Sequence, residues 1–167
     1  MQSKVSKEYG IEGKKGLLYA FKRVVEDALA RPLDLKKDFN DRLIFQKSVL
    51  IAKRYGLPLE YEYNFYLYGP YSTQLANDYF NTEPDESGSP PSLPPSFREE
   101  EFKALIKGKD VGWFELAATI ISVWVFNPGI SEEKLLEHVK MLKGARYSED
   151  EIERVYRELK DHRVLEM

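Results

Sequence analysis

Apolar residues recur along this chain with two different periods. Between Lys14 and Ala30, Leu17, Leu18, Phe21, Val24, Val25 and Leu29 fall three and four residues apart, the spacing that gathers side chains on one side of a helix. Pro32 predicts its end. From Phe39 to Tyr55, Leu43, Ile44, Phe45, Val49, Leu50, Ile51 and Ala52 leave almost no polar face, so this second helix belongs at the centre of the domain, with Gly56 as its C-terminal cap. The period then falls to two: Leu59, Tyr61, Tyr63, Phe65 and Leu67 alternate with Glu60, Glu62, Asn64, Tyr66 and Tyr68, which predicts a strand with its odd positions inward. Gly69 and Pro70 are expected to break it, and Ser72 to cap a short helix through Phe80.

The stretch Asn81 to Ser96, with five prolines, reads as a surface loop or linker. Beyond it the pattern predicts a polar helix from Phe97 to Lys107 and an apolar one from Trp113 to Phe126. A third begins at Ser131 with Leu135, Leu136, Val139 and Leu142 inward. Ser148 and Glu151 form a capping box ahead of Ile152, Val155, Tyr156 and Leu159. Val164 to Met167 is expected to be a short strand. The fold class is therefore α+β and predominantly helical: a helical core, a short β element and a winged-helix-like C-terminal half. Residues 1–80 and 97–167 form two halves around the loop 81–96 and are expected to pack as one domain. The strand at 59–68 has only the tail strand to pair with inside the chain. An open edge would let a partner peptide, or a second copy in a homodimer, complete the sheet.

Length and composition suit a folded globular domain: 167 residues, 43% hydrophobic and 32% charged. With no cysteine, disulfides, thiolate metal centres and thiol catalysis are excluded. The net charge is −3, but the first 55 residues carry 13 basic against 7 acidic side chains. The N-terminal residues lack the apolar stretch of a secretory signal, and Val111 to Phe126, interrupted by Glu115, is too short to span a membrane. The expected location is the cytoplasm, with no membrane partner. Catalytic patterns are missing: His138 and His162 show no metal-ligand spacing, and no nucleophile elbow occurs. Gly10, Gly13 and Gly16 follow no strand and read as a flexible lead instead of a phosphate cradle. The expectation is a non-enzymatic protein without metal or cofactor.

Binding is the better-supported class. Nine aromatic residues fall between Tyr55 and Phe80. Tyr61, Tyr63 and Phe65 have the inward parity of the strand, which confines a functional role to Tyr66, Tyr68 and the neighbouring Tyr71. Gln46 and Lys47 interrupt an otherwise apolar helix. Either they make a polar contact to the turn at Tyr68 to Ser72, or they line a partner-binding notch with those tyrosines. The candidate surface is thus Gln46, Lys47, Tyr66, Tyr68 and Tyr71, contacting a protein partner. The alternative is nucleic acid: three helices and a strand in winged-helix order would place Arg154, Arg157 and Lys160 toward DNA, although Glu149, Asp150, Glu153, Glu158 and Asp161 share that helix.

Arg42-Leu43-Ile44-Phe45-Gln46-Lys47, Tyr55-Gly56-Leu57-Pro58-Leu59 and Tyr68-Gly69-Pro70-Tyr71-Ser72-Thr73-Gln74-Leu75 together resemble a prokaryotic family that includes YwgA-like proteins and is distantly similar to the SocA-like (Panacea) antitoxin domain. Trp113-Phe114-Glu115-Leu116-Ala117-Ala118 resembles the family's later core helix. The resemblance implies a compact, mainly helical α+β domain with no established enzyme activity, and, for the SocA-like group, toxin neutralisation through protein contact. Tyr71-Ser72 after Gly-Pro and the proline-rich insertion depart from the antitoxin pattern.

Overall fold

The computed structural model describes residues 4–80 and 93–166, with side chains from residue 13 onward. Its elements, in chain order, are α1 (Lys4–Leu29), α2 (Phe39–Lys53), β1 (Asn64–Tyr66), β2 (Gly69–Tyr71), α3 (Thr73–Phe80), α4 (Glu99–Ile106), α5 (Val111–Phe126), α6 (Glu132–Lys143) and α7 (Glu149–Asp161). The fold is mainly helical α+β. None of the helices among the described residues is long and apolar enough to cross a membrane.

α2 and α5, the helices with the most buried side chains among the described residues, pack against each other at the centre. Helices with apolar residues on most sides have nowhere else to bury them. Around them Phe21 of α1 meets Phe45, Phe97 and Phe102 at ring-centroid distances of 5.9, 5.9 and 5.4 Å, so aromatic residues from both sides of the proline-rich stretch share one core. The caps form where the side chains call for them. Asp38, Asp110, Ser131 and Ser148 each accept a backbone amide of the following helix, and Ser148 with Glu151 completes a capping box. Gly56 takes φ 91° beyond α2, where Leu57 N–H donates to the Ala52 carbonyl and Gly56 N–H to that of Lys53. A Cβ there would lie 2.2 Å from the Ser96 carbonyl oxygen, so glycine also permits the close approach of the two chain halves.

Five expectations are corrected. The N-terminal glycines are no flexible lead: α1 is already helical from Lys4 and runs through Gly10, Gly13 and Gly16. Lys14 anchors that turn through an ion pair with Asp78 at 2.8 Å and by lying over the Tyr61 ring, which offsets the conformational cost of the glycines. The ten-residue strand is a three-residue one; Leu59 and Tyr61 are buried by packing alone, while Phe65 and Leu67, expected inside, are 47% and 71% exposed. Gly69-Pro70 does not break the sheet but forms its second strand, in an antiparallel hairpin that pairs Asn64 with Tyr71, Phe65 with Pro70 and Tyr66 with Gly69. Residues 164–166 are no strand: Val164 closes a turn after α7 through its N–H to the Leu159 carbonyl. On α6, Leu135 and Val139 are buried but Leu142 is 47% exposed. Most of the proline-rich stretch, residues 81–92, lies outside the described residues.

Candidate functional site: the hairpin and its buried supports

The hairpin turns through Leu67 and Tyr68. With a two-residue loop, Tyr66 and Gly69 exchange hydrogen bonds, and the next pair, Phe65 and Pro70, point their backbone groups outward. Proline loses nothing at such a position because its missing N–H would face away from the partner strand. Its carbonyl, however, faces the protein interior and needs a donor.

Lys47 supplies it. The ammonium of this side chain, 1% exposed, donates to the Pro70 carbonyl at 2.7 Å. One residue earlier, the Gln46 amide donates to the Ser72 carbonyl and accepts the Ser72 N–H, both at 2.9 Å, as a neighbouring strand would. Together the two side chains occupy the outer edge of β2, while no strand among the described residues pairs with the other edge of β1. Ser72 in turn caps α3, its Oγ accepting the Leu75 N–H at 3.1 Å. Gln46 and Lys47 are therefore brought to the turn as the sequence alternatives allowed; both are buried, and of the two Lys47 also reaches the lining of the notch described below. Burial lowers the Lys47 pKa to about 8, with Glu115 opposing the shift and Lys143 adding to it.

A second support comes from α5. Gly69, at φ 94°, lies so close to that helix that a Cβ would meet Thr119 Oγ1 at 3.2 Å. Glu115, 3% exposed, pairs with Lys143 at 2.8 Å and Arg146 at 2.7 Å and accepts a hydrogen bond from the Tyr147 hydroxyl. Lys143 also donates to the Leu67 carbonyl at 3.2 Å, so the buried carboxylate holds the cations that hold the hairpin tip. Burial, with the Glu115 charge beside it, raises the Tyr147 hydroxyl pKa to about 12, so this donor keeps its proton. Nothing in the residue-type patterns marked Lys143, Arg146 or Tyr147. The available signal was Glu115, a single carboxylate in an otherwise apolar helix, which implies a buried cationic partner.

Above these supports the tyrosines gather. Tyr66 is 52% exposed and stands edge-on to Tyr71 at 6.0 Å. Tyr68 packs edge-on against Phe39 at 5.5 Å, with the Arg146 guanidinium 4.8 Å from its ring centroid. With Leu43, Gly69, Thr73 and the stem of Lys47 they surround a notch of about 290 Å³. Of the five residues in the candidate surface, the structure thus brings Tyr66, Tyr68, Tyr71 and Lys47 together around one cavity and sets Gln46 behind it.

The nucleic-acid candidates lie elsewhere. Arg154, Arg157 and Lys160 are exposed on α7, interleaved with acidic residues of which Glu153 pairs with Lys140 and Glu158 with Lys109. Comparison of the chain with protein-family models, with curated proteins and with solved structures gives no match.

Proposed function

We propose that this protein is a non-enzymatic, cytoplasmic interaction module, antitoxin-like in the sense of the SocA-like resemblance, that receives an apolar side chain of a protein partner in the hairpin notch. The observation that carries the reading is the pairing of a partly exposed aromatic rim with a buried, hydrogen-bonded base. Tyrosines offer large contact area at small entropy cost, and a rim held by Gln46, Lys47 and Glu115 loses little freedom on binding. In this reading Gln46 and Lys47 position the surface, and Tyr66, Tyr68 and Tyr71 contact the partner.

The test is affinity capture of the tagged chain from its native lysate, with and without nuclease, beside a Tyr66→Ala/Tyr68→Ala double variant. We expect a protein partner that survives nuclease and is lost with the double variant, whose far-UV dichroism stays that of the wild type. Equal recovery by both proteins rejects the notch. The second reading, a winged-helix DNA binder, is supported by the exposure of Arg154, Arg157 and Lys160 on one helix. It expects recovery of nucleic acid that falls with salt and is lost when those three residues are neutralised.

A further inference from the structure

A separate cavity of about 500 Å³ opens between the C-terminal halves of α2 and α5 and the extended segment from Leu59 to Asn64. Its volume is that of sites that enclose small organic ligands. The walls are apolar, from Leu50, Leu59 and Ile121, and continue outward to Val125 and Phe126, which are 45% and 69% exposed at the end of α5. An apolar lip left open at the mouth of an apolar cavity favours a ligand with a hydrocarbon or aryl body.

The charges on the lining narrow the class. Lys53 is exposed, and its ammonium makes no ion pair or hydrogen bond among the described residues. Arg54 is partly buried, yet its contacts are the carbonyls of Val164 and Glu166 and the Trp124 ring, with no carboxylate paired to it among the described residues. Burial alone lowers its pKa, as expected of a cation without a counter-charge. Glu62 also reaches the cavity, so two cations and one carboxylate leave a single net positive charge. That balance suits one negative charge on the ligand and disfavours a polyanion. Tyr63 also lines the cavity, and its hydroxyl, buried without a partner among the described residues, keeps its proton because burial raises its pKa.

We infer that this cavity is a binding site for an amphipathic monocarboxylate, its apolar body between α2 and α5 and its carboxylate at Lys53 and Arg54. The site is independent of the hairpin notch, and failure of partner capture there leaves it untouched.

Calorimetric titration of the full chain tests it, with sodium decanoate kept well below its micelle-forming concentration. Decanol and decyltrimethylammonium serve as probes with the same chain and a neutral or positive head. We expect saturable one-to-one binding of decanoate, weaker binding of the alcohol and none of the ammonium. Lys53→Gln should weaken decanoate about three- to fivefold, as for the loss of one exposed ion pair. Val125→Trp, placed at the exposed lip to fill the mouth without touching the core, should abolish binding while the thermal melt stays cooperative. Absence of saturable decanoate binding to the wild type overturns the inference. So does equal affinity for the alcohol or the ammonium, or an unchanged affinity in Lys53→Gln.

Discussion

Lys47 carries its charge into the interior, and burial holds its pKa at about 8, below the ordinary lysine value of 10.5. A base whose folded-state pKa is depressed binds fewer protons folded than unfolded between those two values, so stability rises with pH across that window. Between about pH 7.5 and about pH 9.5 this one group should add about 2 kcal/mol to the unfolding free energy. Above about pH 10 the slope reverses, because buried tyrosines such as Tyr55, Tyr61 and Tyr63 keep protons that the unfolded chain releases. Urea unfolding at the two pH values should show the gain in the wild type and a nearly flat response in Lys47→Met; the same slope in both would place the titration elsewhere. The sequence made Gln46 and Lys47 conspicuous as polar residues in an apolar helix, and one of its two readings, contact with the turn at Tyr68 to Ser72, is what the geometry shows. Local pattern could not choose between that contact and a surface notch, because the deciding acceptors, Pro70 and Ser72, lie 23 and 26 residues away.

At the scale of elements the hairpin depends on a carboxylate outside it. Glu115 is the counter-charge for Lys143 and Arg146, and both cations donate to the Leu67 carbonyl at its tip. Glu115→Gln leaves those cations without a compensating charge and should destabilise the fold by about 3 kcal/mol, as removal of one partner from a buried pair does. Amide exchange should show the loss at residues 64–71 as well as in the turn after α6. An effect confined to α5 would mean the hairpin stands without the network. The helices were legible from periodicity and caps because each is specified by neighbours three or four residues away. The β element was not. Alternation reports which side of an extended chain meets the core, and Leu59 and Tyr61 meet it without any ladder. Hydrogen-bonded pairing begins only where the chain can turn back, at Leu67 and Tyr68.

For the whole molecule, the residues before and after the proline-rich stretch contribute to one core. Phe21 lies among Phe45, Phe97 and Phe102, and the Arg98 N–H donates to the Tyr55 carbonyl at 2.8 Å. The two halves should therefore unfold together. Denaturation followed by Trp113 and Trp124 fluorescence, which reports α5, and by amide exchange in α2 should give coincident transitions, whereas separate midpoints would mean that each half holds its own core. The sequence by itself determined most of the helical segments, the caps at Ser72, Ser131 and Ser148, the central position of α2 and the absence of thiol chemistry, because these follow from residue type and short-range spacing. Tertiary structure alone decided that Gln46 and Lys47 serve as the edge of β2, that Glu115 gathers cations from the end of α6 and the turn after it, and that two cavities with different linings flank α2. Those outcomes depend on which backbone carbonyl or charge is left unsatisfied once distant elements have packed, and spacing along the chain carries no record of it.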